Sequence, residues 1–290
     1  MVKYNLCCIL IDHSYRTITL ASYKKDPSME RVYEIYRHNF KSLAITLKYC
    51  SGRGWGLRIS SSLMPLSTIS LPNLWINWED KAFSAEIDEC ARIIKETGIR
   101  VSMHPGPYCV LESENQTTVE NAVNELNWHG WLLTRLGCPQ DRRSPINTHI
   151  YTSNGDMYRI MGNFIRNFGK LSAKVKDRLT VENNDKGGLW NCENLLEFNH
   201  VAAGHIFNVP LCFDNLHDRL LRSSINSQEC FERFHDTWQG ITPIFHHSEA
   251  VERNSHADYP TFRPLDYGRS VHWDVELKAK NHAIDKLETL

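Results

Sequence analysis

The sequence lacks the features that would assign it to a membrane, secreted or strongly charged class of protein. None of its apolar runs approaches the ~20 residues that a membrane-spanning helix needs. The first residues, MVKYNLCCILIDHSYR, contain only a short apolar stretch and no small-residue cleavage site, so we expect no secretory signal and a cytoplasmic location. Lysine and arginine together number 33 against 34 acidic residues, so net charge does not indicate a polyanionic partner.

Cysteine pairs of the CxxC type are also absent, although the chain of 290 residues has nine cysteines. Several cysteines lie inside apolar runs such as LCCIL and PLCFDN, where a free thiol behaves as a small buried hydrophobe. An odd count without a secretion signal favours a reducing compartment and argues against a disulfide framework. Local basic groups, such as Arg142–Arg143 and Lys278 with Lys280, are the remaining candidates for contact with nucleic acid.

Strand-like and helix-like segments alternate along the whole chain. The strand-like runs are KYNLCCIL, GLRIS, RVSMHP, INTHI, LTVEN, PLCFDN, PIFHHS and WDVELKA. Between them lie stretches with apolar residues three and four apart, namely MERVYEIYRHNFKSLAITLKYC, DKAFSAEIDECARIIKETG, TVENAVNELNWHGWLLTRLG, MYRIMGNFIRNFGKLSAKVKDR and NCENLLEFNHVAAGHIF. Eight strands with helical crossovers predict an α/β fold, a single (β/α)8 TIM barrel over residues 1–290, closed by AKNHAIDKLETL.

Helix boundaries are indicated at one of these segments. Thr117 and Thr118 supply hydroxyl groups that predict an N-terminal cap, and Gly137 follows the last apolar position of the same helix.

The 14 histidines are the strongest compositional anomaly. Several histidines and carboxylates follow strand-like runs directly or one helix later, where a barrel gathers functional groups. Imidazole and carboxylate are ligands that suit Zn²⁺, Mn²⁺ or Fe²⁺. The candidate metal ligands are His104, His129, Glu182, Asp214, His217, His246, His256 and Glu276.

Individual members of this set have ordinary alternatives. His129 falls within a helix, where a histidine is more often a core or surface residue. Glu182 ends a strand that should be buried on both faces, and a carboxylate there is costly unless it is paired or metal-bound. The strand PIFHHSE offers His246 or His247, and the alternation of the strand decides which one points inward. Together the set predicts two or three metals about 3.5–4 Å apart, an arrangement that suits phosphodiester hydrolysis.

Ordered sequence blocks extend this interpretation. RISSSLMP, SMHPGPYCVL, LTVENND, FDNLHD, HHSE, HADY and the closing ELKAK resemble the ultraviolet DNA damage endonuclease family, in that family's order and over nearly the whole chain. The resemblance implies a TIM barrel related in architecture to endonuclease IV. It implies a DNA repair enzyme that nicks double-stranded DNA immediately 5′ to cyclobutane pyrimidine dimers and 6-4 photoproducts, leaving a 3′-hydroxyl and a 5′-phosphate.

The resemblance also implies roles for individual residues. His104, His129 and Glu182 would hold one divalent metal, typically Mn²⁺, with Zn²⁺ or Mg²⁺ as alternatives. Glu182 would bridge to a second metal, and His217 and His256 would serve a third. The second metal's other ligands would be Asp214, His246 and Glu276, with His246 preferred over His247 because it stands two residues before Ser248. As a further hypothesis, Glu182 would orient the attacking water, and Lys278 or Lys280 would add positive charge at the rim.

The sequence departs from the family's pattern at three positions. Ile244 stands where the family usually has a lysine two residues before the late histidine. Pro107 and Tyr108 stand where a glutamine and an aromatic residue probe the DNA lesion. Tyr108 can still stack or wedge, whereas Pro107 cannot supply amide hydrogen bonds. Thr68 stands close to the place of an expected histidine.

Three other functions remain open from the sequence. An endonuclease IV-like abasic-site enzyme would share the fold and the metals. A metal-dependent sugar isomerase would need a catalytic histidine and a substrate-holding lysine in an enclosed pocket. A lesion-binding protein without catalysis would be consistent with Ile244, although all eight candidate ligands are retained. We expect no membrane contact and no obligate protein partner.

Overall fold

The computed structural model describes residues 2–69, 74–205, 208–252 and 255–290. Its strands are short, and all the strands of the main sheet run parallel. In chain order the strands are β1 (Val2–Cys8), β2 (Gly56–Ser60), β3 (Val101–His104), β4 (Ile146–His149), β5 (Leu179–Glu182), β6 (Leu211–Cys212), β7 (Ile244–His247), β8 (Ala250–Glu252), β9 (Ser255–His256) and β10 (Val271–Val275).

The main sheet closes into a barrel. Eight strands follow the order β6-β5-β4-β3-β2-β1-β10-β7, so β1 to β6 pair consecutively, β10 pairs with β1, and β7 pairs with β10. A parallel bridge between Asp214 and His246 joins the two ends, with His246 N donating to Phe213 O at 2.9 Å. The remaining strands, β8 and β9, form a small antiparallel hairpin beside β7. The predicted eight-stranded parallel barrel is confirmed.

Helices connect the strands as the apolar spacing predicts. They are α1 (Leu20–Lys25), α2 (Met29–Gly52), α3 (Ser84–Thr97), α4 (Gln116–Arg135), α5 (Met157–Phe168), α6 (Ala173–Lys176), α7 (Cys192–Ala203), α8 (Asn215–Leu220), α9 (Ser227–Asp236) and α10 (Asn281–Thr289). The helix predicted from NCENLLEFNHVAAGHIF is α7, and residues 206–207 of that prediction lie outside the described residues. In the described ranges no helix is both long and apolar enough to cross a membrane.

The structure corrects the sequence-based boundaries in two places. The cap of α4 is Asn115, whose side chain accepts from Thr118 N at 3.0 Å, so Thr117 and Thr118 belong to the first turn instead. Gly137 follows the helix as predicted, with a left-handed φ of 75° that glycine adopts without strain. Helices α8 and α9, between β6 and β7, are not predicted from the sequence, because their apolar positions are few and separated by polar residues.

The barrel interior is polar over much of its depth. Asn5 Nδ2 donates to Asp274 Oδ1 at 2.7 Å, and Ser102 Oγ lies 3.4 Å from Asp274 Oδ2. Nearer the mouth, Thr180 donates to Asn147 Oδ1 at 2.9 Å, and Asn147 donates in turn to Glu182. The apolar core lies between the barrel and its helices, with large buried side chains such as Trp128, Phe164, Phe198 and Phe231. Stability therefore comes from the outer layer, while the inner layer is built from hydrogen-bonded polar groups.

Gly56 at the start of β2 allows Asn5 to occupy this interior. A Cβ at Gly56 would lie 2.2 Å from Asn5 Oδ1 and 3.0 Å from Arg100 O, so an alanine forces Asn5 off Asp274. We expect Gly56→Ala to lower the free energy of unfolding by about 1–3 kcal/mol, measured by urea denaturation. Gly52→Ala is the matched control, because, apart from the adjoining backbone of α2, no described residue lies within 4 Å of its Cβ position. Equal stability of the two variants would contradict the close approach at Gly56.

A candidate metal centre at the mouth of the barrel

One carboxylate, Glu182, lies at the centre of the candidate site. It ends β5, is 1% exposed, and faces imidazoles that come from different strand ends. His104 Nε2, His149 Nε2 and His246 Nδ1 lie 3.3, 3.5 and 3.0 Å from Glu182 Oε2. His217 Nδ1 lies 3.2 Å from Oε1. Four imidazoles therefore surround one buried carboxylate.

Two further carboxylates extend this group towards β10 and α8. His246 Nδ1 lies 3.3 Å from Glu276 Oε1, and Arg58 donates to the same oxygen. Asp214 is fully buried and caps α8, accepting from His217 N at 2.8 Å. The cap ties Asp214 and His217 to one short helix, so both side chains enter the site together.

Hydrogen bonds on the far side of several rings orient them. His104 Nδ1 lies 2.8 Å from Pro105 O, and His149 Nδ1 lies 2.7 Å from Asn184 Oδ1. His256 Nδ1 contacts Glu276 O. Because these acceptors hold the proton on Nδ1, the Nε2 lone pair of each ring is available to a ligand. Such partners behind the rings are usual for metal-binding histidines.

The electrostatics of the group are strongly perturbed. Burial would raise the pKa of Glu182, but His246 and His149 outweigh burial and hold this pKa well below its ordinary value. Burial would lower the pKa of His217, yet Asp214 and Glu182 raise it to about 10. Burial dominates at His149 and lowers its pKa to about 4. Burial also dominates at Asp214 and raises its pKa.

A cavity of about 510 Å³ lies at the carboxyl ends of the strands. Its lining includes Arg58, Pro107, His104, His149, His217, His256, Glu182 and Glu276. Its size and its position at the strand ends are those of an active site in a TIM barrel.

The donors fit divalent metal ions. Triads with ligand atoms within 4.8 Å of one another include His104, His149 and Glu182, and also Glu182, Asp214 and His217. A third such triad contains Asp214, His246 and Glu276. Among the described residues, neither ring nitrogen of the buried His246 makes a hydrogen bond. Nδ1 nevertheless lies 3.0 Å from Glu182 Oε2, so a metal ion bound between them would supply the partner that this nitrogen lacks. Imidazole and carboxylate donors of this kind suit Mn²⁺, Zn²⁺ or Fe²⁺.

Of the predicted ligands, His129 does not lie in these triads. His149 lies in one of them, although it was not among the predicted ligands. The His129 ring is fully buried in α4, where Nδ1 lies 2.7 Å from Glu125 O and the ring packs against Trp128. Burial lowers the pKa of His129 to about 4, as expected for a neutral core histidine. His149 could have been found, because a histidine lies near the end of the strand-like run INTHI, as His104 does in RVSMHP.

The choice between His246 and His247 is a matter of strand alternation. His246 points into the barrel, whereas His247 points outward, with Nδ1 3.2 Å from Asn215 Oδ1 and its ring against Phe262. Ile244 lies two residues earlier on the same face as His246 and is 3% exposed, so an apolar side chain fills that interior position.

Other predicted residues lie at the rim. Lys278 is exposed and donates to Ser255 Oγ at 2.6 Å, beside the hairpin that carries His256. Tyr108 is 89% exposed and lines a second cavity of about 570 Å³ together with Thr68. Thr68 itself donates to Glu125 Oε2 at 3.2 Å.

The fold and this site define a class of protein, a (β/α)8 barrel with a histidine and carboxylate centre at the carboxyl ends of its strands. The model of the family UV-endonuclease UvdE matches residues 5–289, and the chain therefore belongs to that family.

Individual relatives agree with this family. The chain is 28% identical over 292 residues to the UV DNA damage endonuclease of Bacillus pumilus (strain SAFR-032), covering 94% of this chain and 87% of that protein. It is 28% identical over 302 residues to the enzyme of the same name from Bacillus velezensis, covering 98% of this chain and 90% of that protein. The resemblance noted in the sequence is confirmed.

Solved structures give the same result. The crystal structure of SacUVDE superposes with a TM-score of 0.85 at 27% identity, over 98% of this chain and 95% of that one. Endonuclease IV from Thermus thermophilus superposes with a TM-score of 0.56 at 14% identity, over 99% and 98% of the two chains. The second similarity is one of fold alone.

Whether His149 or His129 binds the metal can be tested by substituting each histidine. We expect His149→Gln to weaken Mn²⁺ binding at least about tenfold, as loss of a donor does, measured by calorimetric titration of the metal-free protein. His129→Gln should leave the Mn²⁺ affinity unchanged even if it lowers the thermal unfolding midpoint. Weakened binding in His129→Gln alone would favour His129 over His149 as the metal ligand.

Proposed function

We propose that this protein is a metal-dependent DNA repair endonuclease, one nuclease unit over residues 1–290, that nicks duplex DNA immediately 5′ to UV photoproducts. Hydrolysis of the phosphodiester leaves a 3′-hydroxyl and a 5′-phosphate. The observation that carries the proposal is the set of imidazoles around Glu182 at an open barrel mouth. Membership of the UvdE family supports the substrate class.

The charge at the mouth supports a requirement for metal. Glu182, Asp214 and Glu276 bring three carboxylates into the group, and Arg58, which pairs with Glu276, and His217 line the same cavity. A phosphodiester is itself anionic, so bound cations would reduce the repulsion between these carboxylates and DNA. Divalent cations, we propose Mn²⁺, would supply Lewis acidity, acidify the attacking water and neutralise charge on the phosphoryl oxygens.

The residues of the chain itself perform the positioning. His104, His149 and Glu182 would hold one ion, while Asp214, His246 and Glu276 with Glu182 would hold a second. His217 and His256 would serve a third. Glu182 contacts four imidazoles, because Oε2 faces His104, His149 and His246 and Oε1 faces His217. It would therefore orient the attacking water in line with the departing 3′ oxygen.

Lesion recognition would rely on the rim. A photodimer is poorly stacked, so bending the duplex and extruding the two bases costs less there than in sound DNA. Tyr108 projects into solvent one residue after Pro107, which lines the cavity of the metal centre. An exposed aromatic ring beside the reaction site can fill the space that the bases leave. Lys278 would contribute positive charge to the DNA backbone from the hairpin side.

Glu182→Gln tests the centre. The change keeps the side-chain shape but removes the charge that four imidazoles face, so we expect nicking of dimer-containing duplex to fall at least about a thousandfold. Binding of the same duplex, measured by fluorescence anisotropy, should survive. Glu197→Gln on α7 is the control and should nick normally. Near-normal nicking by Glu182→Gln would remove Glu182 from the centre.

Tyr108→Ala tests recognition. We expect the ratio of affinities for dimer-containing and undamaged duplex to fall by about tenfold, because stacking contributes roughly 1–3 kcal/mol. Ile45→Ala, at an exposed apolar residue of α2, should leave the ratio unchanged. The same ratio in Tyr108→Ala and in the unaltered protein would exclude the probing role.

A further inference from the structure

A second group of potential metal ligands lies outside the barrel mouth. Cys192 begins α7, Asp218 lies in α8, and Cys230 lies in α9. All three are buried, with exposures of 0%, 3% and 0%. Their ligand atoms lie within 4.8 Å of one another, and Cys192 Sγ is 3.4 Å from Asp218 Oδ1. Three neighbouring helices thus converge on two thiols and a carboxylate.

The carboxylate in this group is compensated by hydrogen bonds from uncharged groups. Among the described residues, no lysine, arginine or histidine forms an ion pair with Asp218. Its oxygens accept from uncharged donors, the Cys192 thiol and the Ser227 hydroxyl. An ionised carboxylate buried without a counter-charge is costly, and a bound cation would compensate it.

We propose that Cys192, Asp218 and Cys230 form a separate site for a thiophilic divalent cation of the Zn²⁺ type. A tetrahedral ion with Zn–S bonds of about 2.3 Å and Zn–O bonds of about 2.0 Å separates neighbouring ligand atoms by roughly 3.5–3.8 Å. The observed distance of 3.4 Å between Cys192 Sγ and Asp218 Oδ1 is close to such an edge. A small adjustment of side chains would complete the geometry.

The remaining ligand and the protons can also be placed. Ser223 Oγ lies 3.4 Å from Cys230 Sγ, so this hydroxyl or a water molecule would take the fourth position. Binding forms two metal–thiolate bonds, and the two thiol protons pass to solvent. Neither sulfur is oxidised, so no further reactant is needed.

An ion can reach the group from outside. Asp218 and Ser227 line a cavity of about 240 Å³ beside α8, bordered by Pro264, Leu265 and Tyr267. The buried carboxylate therefore forms the inner wall of a surface pocket. The thiols lie behind it.

The donor chemistry separates this site from the barrel mouth. Thiolates favour Zn²⁺ and similar ions over Mn²⁺, whereas imidazole and carboxylate donors accept Mn²⁺ readily. The two sites are nevertheless connected through α8, since Asp218 directly follows His217 and Asp214 caps the same helix. An ion at Asp218 would fasten α8 to α7 and α9. It would thereby fix two donors of the mouth.

The test uses the reduced full-length protein, freed of metal and titrated with Co²⁺ or Cd²⁺, whose thiolate complexes give charge-transfer absorption. We expect such a band to saturate at one equivalent per chain. It should be lost in Cys230→Ser and in Cys192→Ser. It should persist in Cys90→Ser, a buried cysteine on α3, and in Cys212→Ser, whose thiol lies near His246 and Glu182 at the mouth.

The following results would overturn the proposal. The first is the absence of a thiolate band in the folded, reduced protein. The second is a band that survives in both Cys192→Ser and Cys230→Ser. A band that disappears in Cys212→Ser would also overturn it, because the metal-bound thiolate would then lie at the mouth. The third is a Cys192–Cys230 disulfide, detected by peptide mapping of protein purified without reductant, with no metal bound after reduction. If either serine variant fails to fold, Asp218→Asn is measured instead, and it should weaken Co²⁺ binding while retaining the band.

Discussion

The burial of the Glu182 carboxylate at the end of β5 is the constraint on which the rest of the site depends. A carboxylate removed from water needs compensating charge or hydrogen bonds, and here imidazoles from β3, β4, β7 and α8 supply them, with Asn147 beneath. The parallel barrel makes this possible, because it brings the carboxyl ends of neighbouring strands to one rim. The same grouping concentrates metal-binding donors around a single anionic centre.

The interior of the barrel explains why its core is divided into two layers. Asn5, Ser102 and Asp274 link β1, β3 and β10 through hydrogen bonds below the mouth. The large apolar side chains pack instead between strands and helices. The hydrogen bonds of the polar interior hold the mouth residues at fixed positions along the barrel axis. The hydrophobic stabilisation comes from the outer layer, between the strands and the helices. The polar interior thus positions the candidate site, and the apolar outer layer stabilises the fold.

Much of the fold follows from the sequence, since eight strand-like runs and the apolar spacing between them predict the barrel and most of its helices. The short helices α8 and α9 escape that reasoning, because six to ten residues with few apolar positions give no clear period. At the site, strand ends identify Glu182, Asp214 and His246 correctly as neighbours. His129 shows what the sequence does not predict at the site. Its place within a helix indicates neither that its side chain is buried nor that its ring contacts Glu125 O. His149 was not predicted as a ligand, although it lies near the end of a strand-like run, INTHI, as His104 does in RVSMHP.

The most direct test is incision of a defined substrate. The purified protein, supplied with Mn²⁺, is incubated with a duplex that carries one thymine dimer, beside an abasic duplex and an undamaged one, and the products are sized on a sequencing gel. We predict a single cut at the phosphodiester immediately 5′ to the dimer, dependent on added metal and absent from undamaged DNA. Cutting confined to the abasic duplex, or tight binding of the dimer without any incision, would contradict it.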